Sequence, residues 1–292
     1  MDMDLNAAVT FVSTHGRILE RRRMQLLLGE GTAEEVLTAL DAYRTADGGY
    51  GWGLEPDLRS TTSQPVAAMH ALEVLAEVRD TKSRRAPELL DWLSGHTFPD
   101  GGVPFALPYS DTAGSAGHWV TADSTASSLM TAQLAAQAHR LARYRADVAG
   151  YPWLGLATSY CLDRIEQTTS PHAIELIFVL RFLDAIAERT PRARPLLERF
   201  SDYITKDGPH PVTGGAEGEV LHLLDFTPYS DAPSRAVFPA RAVAADRDRL
   251  ASQQQPDGGW EVTYASFSPA GALEWRGYTT VQSVTMLRNG RL

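Results

Sequence analysis

Cysteine is almost missing from this chain. Cys161 is the only one among 292 residues, so no disulfide can close within the chain, and a reducing compartment is its simplest home. Positive charge is scarce as well: 27 Lys and Arg stand against 36 Asp and Glu, a formal net charge of −9. Binding phosphate backbones needs a basic surface, so this balance argues against a nucleic-acid partner and against docking on an anionic membrane. No apolar run approaches the ~20 residues that span a bilayer. The acidic start Met1-Asp2-Met3-Asp4-Leu5 lacks the basic-then-apolar order of a secretory signal. The expectation is a cytoplasmic protein without a membrane span. Metal and nucleotide signatures are missing too: there is no His-Glu-x-x-His, no Cys-x-x-Cys and no Gly-x-x-x-x-Gly-Lys-Ser/Thr. No metal and no cofactor are therefore expected. Alternation of apolar and polar residues is rare, and stretches 103–107 and 261–267 could at most form short hairpin pieces.

What is present is a succession of helices. At 43% hydrophobic and 22% charged, the composition is that of a globular chain long enough to bury a large core. Apolar residues recur with helical spacing over 4–28, where Arg21, Arg22 and Arg23 are expected to solvate the polar side, and Gly29 and Gly31 stop the run. Thr32, followed by Glu34 and Glu35, caps a helix over about 33–44. A helix from about Thr62 carries Pro65 in its first turn and is apolar almost all round, which predicts burial on both sides. Further helices are expected over 86–95, from near Ala122 towards Leu141, over 152–167, over 171–188 capped by Ser170, and over 195–204, 239–254 and 278–287. No low-complexity linker divides them, so residues 1–292 are expected to form one all-α domain.

Between these helices one motif recurs. Gln254-Gln255-Pro256-Asp257-Gly258-Gly259-Trp260 is its fullest form; Asp47-Gly48-Gly49-Tyr50 and Asp100-Gly101-Gly102 are partial copies, and Gly214-Gly215 is a trace. Asp47 and Asp100 lie 53 residues apart, and Asp100 and Asp257 lie 157 apart, close to three such periods. Recurrence at about 50 residues marks a repeat architecture. The glycines supply positive φ and end a helix, the aspartate can accept local N–H bonds, and the aromatic can pack on helix ends. Asp47, Asp100 and Asp257 thus read as scaffold.

The order of helix, Gln-x-x-Asp-Gly-Gly-Trp turn, loop and small-residue helix resembles the terpenoid cyclase and protein prenyltransferase superfamily, and residues 254–260 are similar to the Gln-Trp repeat of squalene–hopene-type cyclases. The resemblance covers about 32–287; in the first copy Arg44 stands where Gln is expected and Tyr50 where Trp is. It implies a single α/α toroid of about five to six helical hairpins, with an outer and an inner ring. Outer helices would lie near 33–44, 86–95, 153–167, 195–204 and 240–254, and inner helices would begin near Thr62, Asp123, Ser170, Arg235 and Tyr278 around a central cavity. Prenyltransferase β subunits hold zinc through Asp-x-Cys and a distant His; here Cys161-Leu162-Asp163 runs in the opposite order, so no such site is expected. The Asp-rich magnesium motif of ionisation-type terpene synthases is also missing.

The resemblance directs attention to the rim loops at the inner-helix N-termini. Thr121-Ala122-Asp123-Ser124-Thr125-Ala126 is similar to the Asp-x-Asp-Asp-Thr-Ala of cyclases that start by protonation, which implies Asp123 as the acid. With Thr121 and Ser124 in place of the flanking acids, Asp123 would need burial in an apolar site to stay protonated; the other reading is a helix N-cap. His118 lies near enough in sequence to bond and tune Asp123, with Trp119 beside it. In Glu55-Pro56-Asp57-Leu58-Arg59, two carboxylates and a guanidinium form an acid/base pair, a substrate-orienting cluster or a loop salt bridge. Trp52, Tyr109, Tyr229, Trp275 and Tyr278 are expected on the rim, where the resemblance implies cation–π stabilisation of a carbocation; each is also an ordinary packing residue. His172 and Glu175 share a helix face, and burial of Glu175 would raise its pKa, or both simply serve the first turn.

The expected function is acid-initiated cyclisation or isomerisation, of lyase type, of a hydrophobic, isoprenoid or other natural-product-like small molecule in an aromatic-lined cavity. Two alternatives stand beside it: a carbohydrate-active α/α barrel using paired carboxylates such as Glu55 and Asp123, and a toroid that binds without catalysis. The sequence carries no signal of oligomeric state.

Overall fold

The computed structural model describes residues 3–80, 82–206, 208–214, 218–262 and 266–288. Its helices are α1 (Leu5–His15), α2 (Ile18–Leu28), α3 (Ala33–Asp41), α4 (Pro65–Glu77), α5 (Arg85–Gly95), α6 (Gly117–Val120), α7 (Ser128–Ala142), α8 (Ala146–Ala149), α9 (Pro152–Gln167), α10 (Ala173–Ile186), α11 (Ala193–Ser201), α12 (Leu223–Phe226), α13 (Ala240–Ser252) and α14 (Pro269–Leu287). A 3-10 turn covers Pro233–Ala236. Strand content among the described residues is slight: Val103–Pro104 pairs antiparallel with Ala126–Ser127, and His210–Pro211 with Val220–Leu221. Of the two stretches expected to form hairpin pieces, the first supplies one strand of the first pair, its partner lying at Ala126–Ser127; residues 263–265 of the second, like Gly215, lie outside the described residues.

The helices form two rings, as an α/α toroid. Inner helices α4, α7 and α10 pack side by side. Outer α3 packs on α2 and α4, α9 on α7, α11 on α10 and the 3-10 turn, and α13 on α12 and α14. Outer α1 packs on both α14 and α2, which closes the ring. Six hairpins result, with α12 and the 3-10 turn standing where an inner helix beginning near Arg235 was expected. No helix among the described residues is long and apolar enough to cross a membrane.

Local chemistry sets several element ends differently from the sequence reading. Residues 4–28 are two helices, because Gly16 and Arg17 are extended (ψ 152° and 162°). A Cβ at Gly16 would lie 2.7 Å from the Val12 carbonyl oxygen. The break turns α2 into an inner helix, so Arg23, expected in solvent, is only 2% exposed. Helix α14 starts at Pro269 rather than Tyr278, since the Ser268 hydroxyl accepts the Gly271 N–H at 3.0 Å and Pro suits the first turn. Trp275 and Tyr278 therefore lie within a helix. Helix α7 starts at Ser128, capped by Ser127, and α10 is capped by His172 rather than Ser170.

The three glycine turns are built alike. Gly48, Gly101 and Gly258 have φ of 91°, 97° and 93°, the left-handed region that glycine adopts without a steric penalty. In each, the preceding aspartate accepts the N–H of the second glycine at 3.1 Å. A Cβ on the first glycine would face the backbone of the next outer helix: Glu88 of α5 at 3.3 Å, Leu156 of α9 at 2.6 Å and Ala7 of α1 at 2.2 Å. Every turn thus docks on the following outer helix, and the last docks on the first. Gln254 completes that seam, accepting the Asp4 N–H at 2.7 Å and donating to the Asp4 carbonyl at 2.8 Å. Trp260 is 2% exposed and donates to the Leu250 carbonyl at 2.8 Å.

Candidate active site

Helix α4 is buried from Pro65 to Glu77 except for Met69, yet it carries His70, Glu73 and Glu77. Spacings of three and four put these on one face, towards α2 and α14. Burying a charge costs several kcal/mol unless a partner compensates, and partners are supplied from three elements. Arg23 of α2 donates to both oxygens of Glu77 at 2.8 and 2.6 Å and lies 3.9 Å from Glu73. From α14, the Tyr278 hydroxyl contacts both Glu73 oxygens at 3.0 Å, and the Gln282 amide donates to Glu73 at 3.1 Å. His70 Nε2 donates to Glu55 at 2.9 Å, while Nδ1 lies 3.6 Å from Glu73. Burial disfavours charge on the His70 ring, but its hydrogen bond to Glu55 and the adjacent Glu73 carboxylate outweigh it and raise the pKa to about 9. Burial likewise works against ionised Glu73, and His70 and Arg23 overcome it, holding the carboxyl well below its usual range. Burial, with Glu73 adding repulsion, pushes Glu77 up, although Arg23 opposes.

The loop before α4 joins this network from above the helix start. Arg17 pins it by donating to the carbonyls of Gly53 and Leu54 at 3.2 and 3.0 Å. Glu55 and Asp57 are 4% and 5% exposed. The Glu55 carboxylate accepts the Asp57 N–H at 3.1 Å as well as the His70 N–H, so it bridges loop and helix. Trp275 Nε1 donates to Asp57 Oδ2 at 2.7 Å. Asp57 Oδ1 has no hydrogen-bond partner of good geometry among the described residues, though the Phe267 amide lies close enough to oppose its pKa rise slightly. Burial pushes the Asp57 carboxyl up to about 6; the Trp275 bond opposes this and the Glu55 charge adds to it. At the loop's end Arg59 pairs with Glu274 at 2.6 Å.

Aromatic rings stand on this site. Trp275 and Tyr278 meet edge to face at 5.5 Å, and the His70 ring lies 6.1 and 5.5 Å from them. Nearby, Phe105 stacks on Trp119 at 4.6 Å and His118 meets Phe267 at 6.0 Å. Burial lowers the His118 pKa, with the Glu55 charge opposing, which places His118 within the field of Glu55.

The structure gathers Glu55, Asp57, Arg59, Trp275 and Tyr278, with His118 and Trp119 close by, and leaves the other candidates elsewhere. Asp123 is exposed, and its carboxyl is held below its usual range by hydrogen bonds from the Thr125 hydroxyl (2.6 Å) and amide. It therefore lacks the burial that a protonated acid requires, and it caps no helix, a task done by Ser127. The expected His118–Asp123 bond does not form; His118 turns to the aromatic rings instead. Trp52 is 55% exposed with φ of 55°, a side chain at the surface of its loop. The Tyr109 hydroxyl is buried without a hydrogen-bond partner among the described residues. His172 caps α10, its Nδ1 accepting the Ile174 N–H at 3.2 Å and its Nε2 donating to the Thr213 carbonyl at 2.8 Å. Glu175 lines a gap of about 10 Å³ beside Cys161, Arg164 and Phe178. Tyr229 sits at the opposite end of the inner ring, beside the last turns of α4, α7, α10 and α14. Sequence reading missed His70, Glu73, Glu77 and Arg23. A signal was there: ionisable residues at 70, 73 and 77 in an otherwise apolar helix mark one polar face that must find partners inside.

No protein-family model matches the chain, and a search of curated proteins gives no match. Solved structures do match. A protein from Actinoplanes superposes on 99% of this chain and 92% of its own, with a TM-score of 0.52 at 16% identity. The type II terpene cyclase MstE from Scytonema, in complex with its substrate geranylgeranyl dihydroxybenzoate, superposes on 97% of this chain and 95% of its own, with a TM-score of 0.51 at 14% identity. At such identities the likeness is one of fold, and the chain shares the terpenoid cyclase architecture.

Proposed function

We propose that the chain is an enzyme that protonates a hydrophobic, unsaturated small molecule to start its cyclisation or isomerisation, with Asp57 as the acid. One observation carries this: a buried carboxyl whose pKa is raised to about 6, one oxygen on the Trp275 indole and the other without a well-aligned partner. Such a group keeps its proton further towards neutrality than an exposed aspartate does. In the reaction the Asp57 O–H proton adds to an alkene carbon, whose π pair forms the new C–H bond. Ring closure or a shift moves the cation left on the neighbouring carbon to another carbon, and loss of an adjacent C–H proton to a carboxylate, its σ pair forming a new C=C bond, quenches it, so product and substrate have the same composition. Trp275 and Tyr278 offer π faces to the cation. Glu55 holds the Asp57 amide, and His70, fixed between Glu55 and Glu73, is a positioning residue. The cyclase fold of the structural neighbour supports this reading by analogy.

The test is incubation with linear polyenes and prenylated aromatics, followed by mass spectrometry for products of unchanged mass that gain one deuterium in D2O. Asp57→Asn is expected to abolish the product and Asp123→Asn to retain it. Turnover that survives Asp57→Asn would remove Asp57 from the chemistry, and no product from either substrate class would sink the reaction type.

A further inference from the structure

At the end of the inner ring away from Asp57, Tyr229 borders an open cleft of about 80 Å³. One water needs only about 10–15 Å³ of such space, so a phosphate-sized group with its waters fits. Four arginines line the cleft, Arg79, Arg140, Arg143 and Arg181, in a chain whose net charge is −9. Of the cleft's acids, Glu77 holds Arg23 and Asp184 accepts the Ser234 N–H and hydroxyl at 2.7 and 2.6 Å, while the charges of Arg140 and Arg143 reach Glu77 and Asp184 from further off, and Asp231 has an interaction of its own. The partners of Glu77 and Asp184 are thus Arg23 and Ser234, none of the four cleft arginines. Arg140 instead donates to Gln137 at 2.6 Å and to the Tyr229 hydroxyl at 2.7 Å, its carbon 3.9 Å from that ring's centroid. Arg181 donates to the Asp225 carbonyl at 2.8 Å, and its Nε is buried without a partner.

Helix dipoles favour cations at C-terminal ends, but that does not explain why four converge or why one is strained. Helix α4 ends in a paired turn in which the Asp80 N–H reaches the Leu75 carbonyl at 2.9 Å and the Arg79 N–H reaches that of Ala76 at 3.2 Å. The residue at position 79 of this turn has φ of 51°, a slot that glycine fills in most helices ending this way. Here an arginine occupies it and extends the basic lining.

We propose that this cleft binds a phosphate-class oxyanion, held by the partly buried Arg140 and Arg181 and closed by the exposed Arg79 and Arg143. The test is calorimetric titration with inorganic diphosphate at fixed ionic strength, with flotation of phosphatidate-bearing vesicles as a second arm. Saturable binding in the first arm marks a free anion, and binding in the second alone marks a lipid headgroup. Either supports the site when Arg143→Ala and Arg79→Gly each weaken it at least about tenfold and Arg84→Ala, an exposed arginine outside the cleft, does not. Arg79→Gly should also raise Tm by about 1–3 °C as the strained φ relaxes, so binding and stability move in opposite directions, which a purely structural Arg79 would not produce. Absence of binding in both arms at about 10 mM phosphate groups, or binding unchanged in both variants, overturns the proposal.

Discussion

Asp57→Asn should remove the loss of stability that the fold suffers as pH rises from 3.8 to about 6, while removing the acid. In the folded chain the Asp57 carboxyl is raised from its ordinary 3.8 to about 6 by burial. The folded state therefore keeps this proton over a window in which the unfolded state has released it, and stability falls as pH rises from 3.8 to 6. Each pH unit of displacement is worth about 1.4 kcal/mol, so ionising Asp57 costs the fold at most about 3 kcal/mol above that window. Asparagine keeps an oxygen for the Trp275 N–H but cannot ionise. Its amide nitrogen, placed where Oδ1 lacks a well-aligned partner, costs about 1–3 kcal/mol at every pH. The quantity to follow is the difference between variant and parent unfolding free energies in urea, measured by circular dichroism at pH values from 4 to 8. Titrations of other groups cancel in that difference, which should shift in favour of the variant by up to about 3 kcal/mol between pH 4 and 7. Parallel profiles for the two proteins would show that Asp57 is not an elevated acid, and the proposed proton donor would go with it.

Gly258→Ala should cost about 2–4 kcal/mol in thermal melts, since φ is 93° and the new Cβ would meet the Ala7 oxygen at 2.2 Å. Gly48→Ala, where the nearest atom is 3.3 Å away, should cost less; equal losses would refute the docking account of the turns. Arg23→Met leaves Glu77 buried and unpaired, an expected loss of about 3–5 kcal/mol by urea unfolding, most of it recovered in Arg23→Met with Glu77→Leu. A single variant losing under about 1 kcal/mol would show that the pair does not hold α2 to α4. His70 should titrate near 9 by nitrogen-detected NMR. Its stabilising charge is complete below its ordinary 6.5 and is lost as pH rises through 9; titration near 6.5 would dismiss the clamp between Glu55 and Glu73.

The repeat was legible because its parts are local. A turn that needs positive φ must use glycine, and Asp before it bonds an amide two residues on, so residues 47–50, 100–102 and 254–260 announce their geometry one copy at a time. Glu55, Asp57 and Arg59 stand out as a cluster in the sequence for the same reason: they share one short loop. Arg23 was misread because the three arginines look alike in sequence, and only the break at Gly16 turns one of them inward. Asp123 keeps the middle place of a motif whose flanking acids are here Thr121 and Ser124, but the motif says nothing of burial, and the strand at Ala126–Ser127 leaves that segment at the surface. Tyr229 was placed at the wrong end because the expected inner helix near Arg235 is replaced by α12 and a 3-10 turn.

The seam where Gln254 grips Asp4 has a consequence for how the chain can be cut and how it folds. A linear stack of helical hairpins leaves two open faces that need polar caps, whereas α1 against α14 leaves none. Phe11, Val12, Trp260, Val281 and Val284 are buried only because both ends of the chain arrive together. Contacts about 250 residues apart carry a large loop-closure cost, so this closure should be the late step of folding, with a C-shaped, sticky precursor. Once shut, the ring has no privileged starting point. Opening the backbone in an exposed loop such as 110–114 and joining the old ends through a flexible linker keeps every hairpin contact, whereas deleting α14 exposes an apolar edge with nothing to cover it.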